Sequence, residues 1–254
     1  MTIFDSILLG IVEGFTEFLP ISSTGHLILV SHLLGLEQTA SHKAFEVSIQ
    51  LGSILAVLFL FSHKLLVNKT LWFKIIVAFI PTALFGFLFY KTIKSLFGVE
   101  TVSIMLIVGG IAFLVIEYLR KDHDDSKDKS VEELSIKESL IIGLFQTLSM
   151  IPGTSRSGAT MIGGLLVRLS RKSAAEFSFL LAIPTMFVAT AYDIFKNRNE
   201  FIIDDYSLLA IGFTTAFIVA FFTVKAMIKF LTTHTFVVFG IYRIIVGVVF
   251  LYYI

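Results

Sequence analysis

The chain has 254 residues, 56% of them hydrophobic and 15% charged, with a mean hydropathy of +0.89 and a formal net charge of +1. A soluble domain carries about a quarter charged residues, so the composition excludes a soluble globular domain, and no nucleic-acid partner is expected. The absence of cysteine excludes disulfides, thiol catalysis and thiolate metal sites. The N-terminus lacks a basic region ahead of its apolar stretch and carries Asp5, Glu13 and Glu17 inside it, so it reads as mature fold rather than as a cleaved signal.

In chain order, Thr2–Leu19 is interrupted by three acids and Thr24–Leu36 is shorter than a bilayer crossing. The turn Leu19-Pro20-Ile21-Ser22-Ser23-Thr24-Gly25-His26 joins them, and the pair reads as a re-entrant helical hairpin. Three stretches long enough to cross about 30 Å of hydrocarbon follow, near Ala44–Ser62, Trp72–Tyr90 and Thr101–Leu119. The mixed-charge segment Arg120–Lys137 reads as a solvated connector. Ser139–Ile151 and Ser157–Val167, joined by Ile151-Pro152-Gly153-Thr154-Ser155-Arg156-Ser157-Gly158, form a second hairpin. Three more spans lie near Ala174–Tyr192, Ser207–Val224 and Thr235–Ile254. The expected fold is an all-α integral membrane protein of six full spans plus two re-entrant hairpins. The competing reading makes each pair one or two weakly apolar full spans. Non-helical backbone at membrane depth is tolerated only where protein or water surrounds it.

The halves 1–119 and 138–254 correspond, within a single membrane domain. An offset of 133 pairs Ser6 with Ser139, Gly10 with Gly143, Glu13 with Gln146, Ser22 with Ser155 and Gly25 with Gly158. An offset of 130 pairs Ala44, Glu46, Ser48 and Leu51 with Ala174, Glu176, Ser178 and Leu181. Three spans per half invert the second copy, giving an inverted-topology repeat whose hairpin tips meet near the midplane. One face then gathers Lys64, Lys69, Lys74, the linker cations, Arg168, Arg171, Lys172, Lys225 and Lys229, whereas the other holds Lys43, Lys91, Lys94, Lys196 and Arg198. The excess makes the first face cytoplasmic. Both termini and the opening of the first hairpin are therefore expected outside.

The residues able to do chemistry cluster at the turns. Glu13 and Glu17 share one helix face, where two carboxylates repel unless a cation lies between them. A hard divalent cation, Mg²⁺ or Ca²⁺, bridged to phosphate suits them. Ser22, Ser23 and Thr24 open the returning helix, whose first N–H groups attract anions. One of them is accounted for as an ordinary N-cap. His26, one turn beyond Ser23, is a candidate acid or base. Arg156 sits among small residues and can fork onto phosphate, with Ser155, Ser157 and Gly158 lining an anion cradle. Its other reading is a pair with a carboxylate that only joins the hairpins. Glu46 and Gln50, four apart, are expected to orient Arg156 or His26. Arg243, in the last span, is assigned no role, and Gly10 and Gly14 have the spacing of close helix packing.

Gly10-Ile-Val-Glu13-Gly-Phe-Thr-Glu17-Phe-Leu-Pro20-Ile-Ser22-Ser23-Thr24-Gly25-His26 resembles the first signature of the bacitracin-resistance type of undecaprenyl-diphosphate phosphatase. Pro152-Gly153-Thr154-Ser155-Arg156-Ser157-Gly158-Ala159-Thr160 resembles the second, and the segments around Glu46–Gln50 and Glu176–Pro184 are similar to family segments. The likeness covers nearly the whole chain. It implies hydrolysis of undecaprenyl diphosphate at the bacterial inner membrane, recycling the cell-wall lipid carrier, with Mg²⁺ or Ca²⁺ as cofactor. It also implies functional roles for Glu13, Glu17, Ser23, Thr24, His26, Ser155 and Arg156. Either Ser23 or water is the nucleophile in this reading. The rival is a transporter or flippase of a polyprenyl phosphate, because broken helices in an inverted repeat are also a transporter plan. A scaffold for cell-wall enzymes would leave the buried charge unexplained. Neither oligomeric state nor flipping can be read from the residues.

Overall fold

The computed structural model describes residues 1–37, 39–96, 98–121, 123, 125–196 and 205–253. Asp122, Asp124, Arg198 and Ile254, which entered the sequence reading, lie outside the described residues. The described chain is helical, as α1 (Ile3–Thr16), α2 (Ser23–Leu33), α3 (Ala40–Val67), α4 (Lys69–Leu88), α5 (Tyr90–Ser95), α6 (Val99–Leu119), α7 (Ile136–Thr147), α8 (Arg156–Leu166), α9 (Arg171–Lys196), α10 (Tyr206–Phe230) and α11 (Val237–Tyr253).

Five of these helices, α3, α4, α6, α9 and α10, are long and apolar enough to cross a membrane. The sixth expected span is α11, shorter at 17 residues. Large apolar side chains such as Phe59, Phe87, Ile111, Phe222 and Ile245 point outward. In water such a surface would drive aggregation, whereas lipid accepts it. The interior holds Phe113, Phe177, Phe179 and Phe236 together with buried polar groups.

α1, α2 and the turn between them form the first hairpin, and α7 and α8 with theirs the second. Thr2 and Asp5 make a capping box at the start of α1, and Ser135 and Glu138 make the same box at the start of α7, 133 residues on. Each box satisfies two otherwise unpaired N–H groups. α1 packs against α10 and α7 against α4. A Cβ on Gly10 would lie 2.6 Å from the Gly212 carbonyl oxygen, and one on Gly143 only 2.1 Å from that of Ala78. Both contacts are therefore backbone to backbone. Ser6 strengthens the first by donating to the Leu208 carbonyl at 2.6 Å.

The ends of α3 separate the two hairpins. Residues 34–39 tie the first hairpin to the start of α3, which is about 40 Å long at 1.5 Å per residue. At the far end of α3, Lys64 pairs with Glu132 and with Glu176 near the start of α9. The second hairpin begins and ends at this charged end, where Lys129 pairs with Glu138 of α7. The two turns thus approach from opposite ends of α3 and meet in the middle.

The segment 120–137 is only in part the solvated connector expected from its charges: Lys121, Lys127, Glu132, Glu133 and Lys137 are exposed, but other residues are held inside. Lys129 donates its N–H to Arg168 O at 2.9 Å and accepts from Ser170 N at 3.2 Å, while Val131 and Leu134 are buried. Arg120 pairs with Asp125 and Asp128, and Arg171 reaches Asp125 at 2.8 Å and Glu117 through two nitrogens. Burial pushes the Asp125 carboxyl up, but the Arg120 and Arg171 guanidinium groups outweigh it and hold it below the usual range. The charges of Arg120, Asp125 and Asp128 are thus neutralised among themselves and by Arg171 of α9, while the exposed charges of the segment face outward.

Replacing Gly10 by Val should force α1 off α10 and cost about 1–3 kcal/mol, as overpacking does. Unfolding of the purified protein in detergent would measure it, with a drop in midpoint expected.

Candidate functional site at the meeting of the two turns

Both turns rest on a serine with a left-handed backbone, Ser22 at φ 72° and Ser155 at φ 73°. Such a conformation costs a non-glycine residue about 1–3 kcal/mol and persists only where the surroundings enforce it. The two serines stand 133 residues apart, as the sequence pairing has them, and each launches a helix. Ser155 caps its own helix, its Oγ accepting from Gly158 N at 3.1 Å and meeting Ser157 Oγ at 3.0 Å. Ser22 provides no side-chain cap, so among the described residues nothing accepts from the N–H groups of Ser23, Thr24 and Gly25.

Glu17, the first residue past α1, joins the two turns. Its Oε1 accepts from Arg156 Nη2 at 2.7 Å and its Oε2 from Ser23 Oγ at 2.6 Å. Ser157 Oγ adds a second tie by donating to Leu19 O at 2.9 Å. Arg156 also donates through Nη1 to Ser178 O at 3.0 Å and lies over the Phe18 ring. Phe18 is edge-on to Phe179, 5.3 Å between centroids. The ion pair is thus walled by aromatic groups, and Glu17, Ser22, Ser23, His26 and Ser155 are all buried.

Glu13 lies one turn before Glu17, completely buried, and neither of its carboxylate oxygens has a hydrogen-bond partner. Glu17, Glu46, Arg156 and Ser53 are the groups that act on it electrostatically or by proximity. An ionised carboxylate left this way would be prohibitively costly, so the position calls for a cation, a proton or a ligand.

Several expected neighbours are elsewhere. His26 does not reach Ser23: its Nδ1 donates to Ser22 O at 2.8 Å and its Nε2 meets Tyr242 OH at 2.7 Å, the rings nearly parallel. The Ser22 carbonyl accepts only, so the proton sits on Nδ1 and the Tyr242 hydroxyl donates to Nε2. Glu46 is tied to Ser31 Oγ at 3.2 Å and to His42 Nε2 at 3.1 Å, not to Arg156 or His26. Gln50 is half-buried and hydrogen-bonds to neither, and Thr24 is half-buried beside the turn. Tyr242, Ser178, Ser53 and Arg243 were given no part in the site from the sequence. Only Arg243 carried a signal, as a guanidinium in an apolar helix.

The family model described as Bacitracin resistance protein BacA matches residues 6–249. The chain belongs to this family. Relatives bearing the name undecaprenyl-diphosphatase include one from Wolinella succinogenes, 59% identical over all of this chain and 98% of its own length. Another, from Persephonella marina, is 58% identical with both chains wholly covered, and one from Aquifex aeolicus is 50% identical over 98% of each. In this BacA-family chain, the matched residues contain both turns and every residue of the site.

Removing the Glu17 carboxylate should leave Arg156 as a buried unpaired charge, at a cost of about 3–5 kcal/mol. A double-mutant cycle of Glu17→Ala and Arg156→Ala, read by unfolding, should show the pair losing less than the sum of the singles. Strict additivity would mean the two side chains do not interact.

Proposed function

We propose that this chain hydrolyses undecaprenyl diphosphate to undecaprenyl phosphate and inorganic phosphate in the bacterial plasma membrane, recycling a cell-wall lipid carrier and so conferring bacitracin resistance. Family membership and the relatives' names support this. The observation that carries it is the distribution of unmet polar groups. Among the described residues, the buried side-chain atoms without a partner are both Glu13 oxygens, Ser53 Oγ, Thr154 Oγ1, Arg156 Nε and Arg120 Nε. Thr154 and Arg156 lie in and just after the second turn, Glu13 lies one helical turn before Glu17, and Ser53 of α3 lies against Glu13; Arg120 alone in this set is remote from the turns. A site with that many unmet donors and acceptors is built for a polar ligand, and a diphosphate offers acceptors to the guanidinium, the hydroxyls and the free N–H groups of α2.

The chemistry follows from the pairs in place. Ser23 Oγ already donates to Glu17, so Glu17 is the base that receives its proton as the oxygen attacks the terminal phosphorus. The bond from that phosphorus to the bridging oxygen breaks, and undecaprenyl phosphate leaves. Water then cleaves the phosphoserine, returning the serine hydroxyl and releasing phosphate. In the alternative, Glu17 orients a water that attacks directly. Arg156 and the α2 N–H groups stabilise the transferring phosphoryl group either way. His26 holds the Ser22 carbonyl, and with it the turn, in register. Ser155, Ser157 and Gly158 shape the cradle around Arg156.

The donor set fits a hard divalent cation, Mg²⁺ or Ca²⁺. Glu13 has two free buried oxygens, while no group of three His, Cys, Asp or Glu residues is assembled among the described residues, so phosphate and water oxygens would complete the shell. Glu13 and Glu17 would hold the ion, which when bound supplies charge neutralisation for the departing oxygen.

Phosphate release from purified protein tests the reading. Glu17→Ala and Arg156→Ala should each lose about 10²–10³-fold, and a chelator should stop the wild type. Rapid quench should trap phosphate on Ser23 if serine attacks. A chain that moves polyprenyl phosphate without releasing phosphate would be the transporter instead, a reading favoured only by its paired broken helices.

The two hairpins are assigned as re-entrant and the halves as an inverted repeat, supported by the matching capping boxes and left-handed serines. The charged end carrying Lys64, Arg120 and Arg171 is assigned to the cytoplasm, which puts both termini and the opening of the first hairpin outside. Because the chain lacks cysteine, Glu37→Cys and Lys137→Cys are clean reporters. An impermeant maleimide should label position 37 in intact cells and position 137 only after permeabilisation, and the reverse would invert the orientation.

A further inference from the structure

Arg243 of α11 has no exposed surface and heads the largest fully buried side chains. Its guanidinium donates to Pro20 O in the first turn at 3.0 Å, and to Gly153 O at 3.0 Å and Thr154 O at 2.9 Å in the second. It also reaches Met105 O at 3.0 Å and Leu106 O at 3.3 Å on α6. No carboxylate pairs with it among the described residues. Two glycines make room for it, since a Cβ on Gly109 would lie 2.1 Å from Nη2 and one on Gly158 3.1 Å from Nη1.

We propose that Arg243 is a positioning residue for the hydrolysis, drawing carbonyls of both turns onto one guanidinium so that Ser23 and Glu17 are set against Arg156. The inference rests on the phosphatase reading above. A carbonyl in either turn that faced the space between Ser23 and Arg156 would repel a phosphate oxygen. In a planar trans peptide the C=O and N–H point opposite ways, so each carbonyl held on Arg243 turns the next residue's N–H away from that guanidinium; those of Ile21 and Thr154 bond to Leu19 O and Ile151 O and fix the turns, and that of Ser155 stays open among the described residues. Five carbonyl dipoles solvate the charge without cancelling it, so its field favours an anion lying between the turns. Only arginine has the fork to hold acceptors from three segments, whereas lysine has three donors on one point.

The test compares wild type, Glu17→Ala, Arg243→Lys and Gly109→Ala on undecaprenyl diphosphate in detergent, with unfolding midpoints measured alongside. Gly109→Ala keeps the guanidinium and displaces it, so it separates position from charge. For both variants kcat per folded molecule should fall 30-fold or more, while KM moves less than threefold and the midpoint by a few degrees. A folded Arg243→Lys or Gly109→Ala protein with kcat within twofold of wild type would overturn the inference. So would failure of both variants to accumulate as folded protein, since Arg243 would then serve assembly of the fold alone. Wild type that releases no phosphate, like Glu17→Ala, would instead overturn the phosphatase reading itself.

Discussion

The pair between Glu17 and Arg156 organises this molecule. The two residues lie 139 positions apart, on turns that come from opposite ends of α3, and they meet at 2.7 Å with side chains 5% and 10% exposed. A buried ion pair adds little stability by itself, because the desolvation of both ions offsets their attraction. What it imposes is register. If either turn slides, a charge is left alone in an apolar interior, which costs far more than the pair returns. The aromatic walls of Phe18 and Phe179, the Ser157 bond to Leu19 and the five-carbonyl grip of Arg243 all hold the same meeting point. Without that point the two hairpins would be short helices with broken ends and nothing to fix one turn against the other.

How much of this could be read from residues alone follows from the kind of constraint involved. Charges inside an apolar chain must find partners, so Glu17 and Arg156 could be brought together on paper, and the offset of 133 located the paired left-handed serines. Spans follow from length and apolarity, which left only α11 shorter than expected. Contacts that depend on how a helix is turned about its axis were not legible. His26 looked like a partner for Ser23 because it is one turn away, yet its ring is claimed by Tyr242, 216 residues distant. Glu46 looked free to orient Arg156, but Ser31 of α2 and His42 in the first turn of α3 take it first. The segment 120–137 misled for a different reason. Mixed charge usually means solvation, and Lys121, Glu133 and Lys137 are exposed, but Asp125 and Asp128 turn inward to neutralise Arg120 of the segment itself and Arg171 of α9.

Arg243 illustrates the same limit from the other side. Its apolar setting marks it as costly, but nothing local says whether it snorkels, pairs or binds backbone. The answer lies in Gly109 and Gly158, two glycines in other helices whose missing side chains leave the space it fills. A cavity of that kind is a property of three helices at once, so no window along one of them contains it.

Glu13 and Gln146 differ in how their polar atoms are met. The two occupy equivalent places in the first helix of each hairpin, and both are completely buried. Gln146 is satisfied, its Nε2 donating to Thr82 at 2.7 Å and its Oε1 accepting from Thr185 at 3.3 Å. Glu13 has no such partners. The same helical position can therefore be filled by a neutral side chain at no polar cost, and in one half of this molecule it is. The half that keeps a bare carboxylate is the half that brings Glu17 and Ser23, while the other contributes Arg156 at the position equivalent to Ser23. Structural need alone would let both copies settle for the amide. A buried carboxylate without a hydrogen-bond partner, one helical turn from the Glu17–Arg156 pair, is what structural need alone leaves unexplained, and it is the ground on which a cation is proposed there.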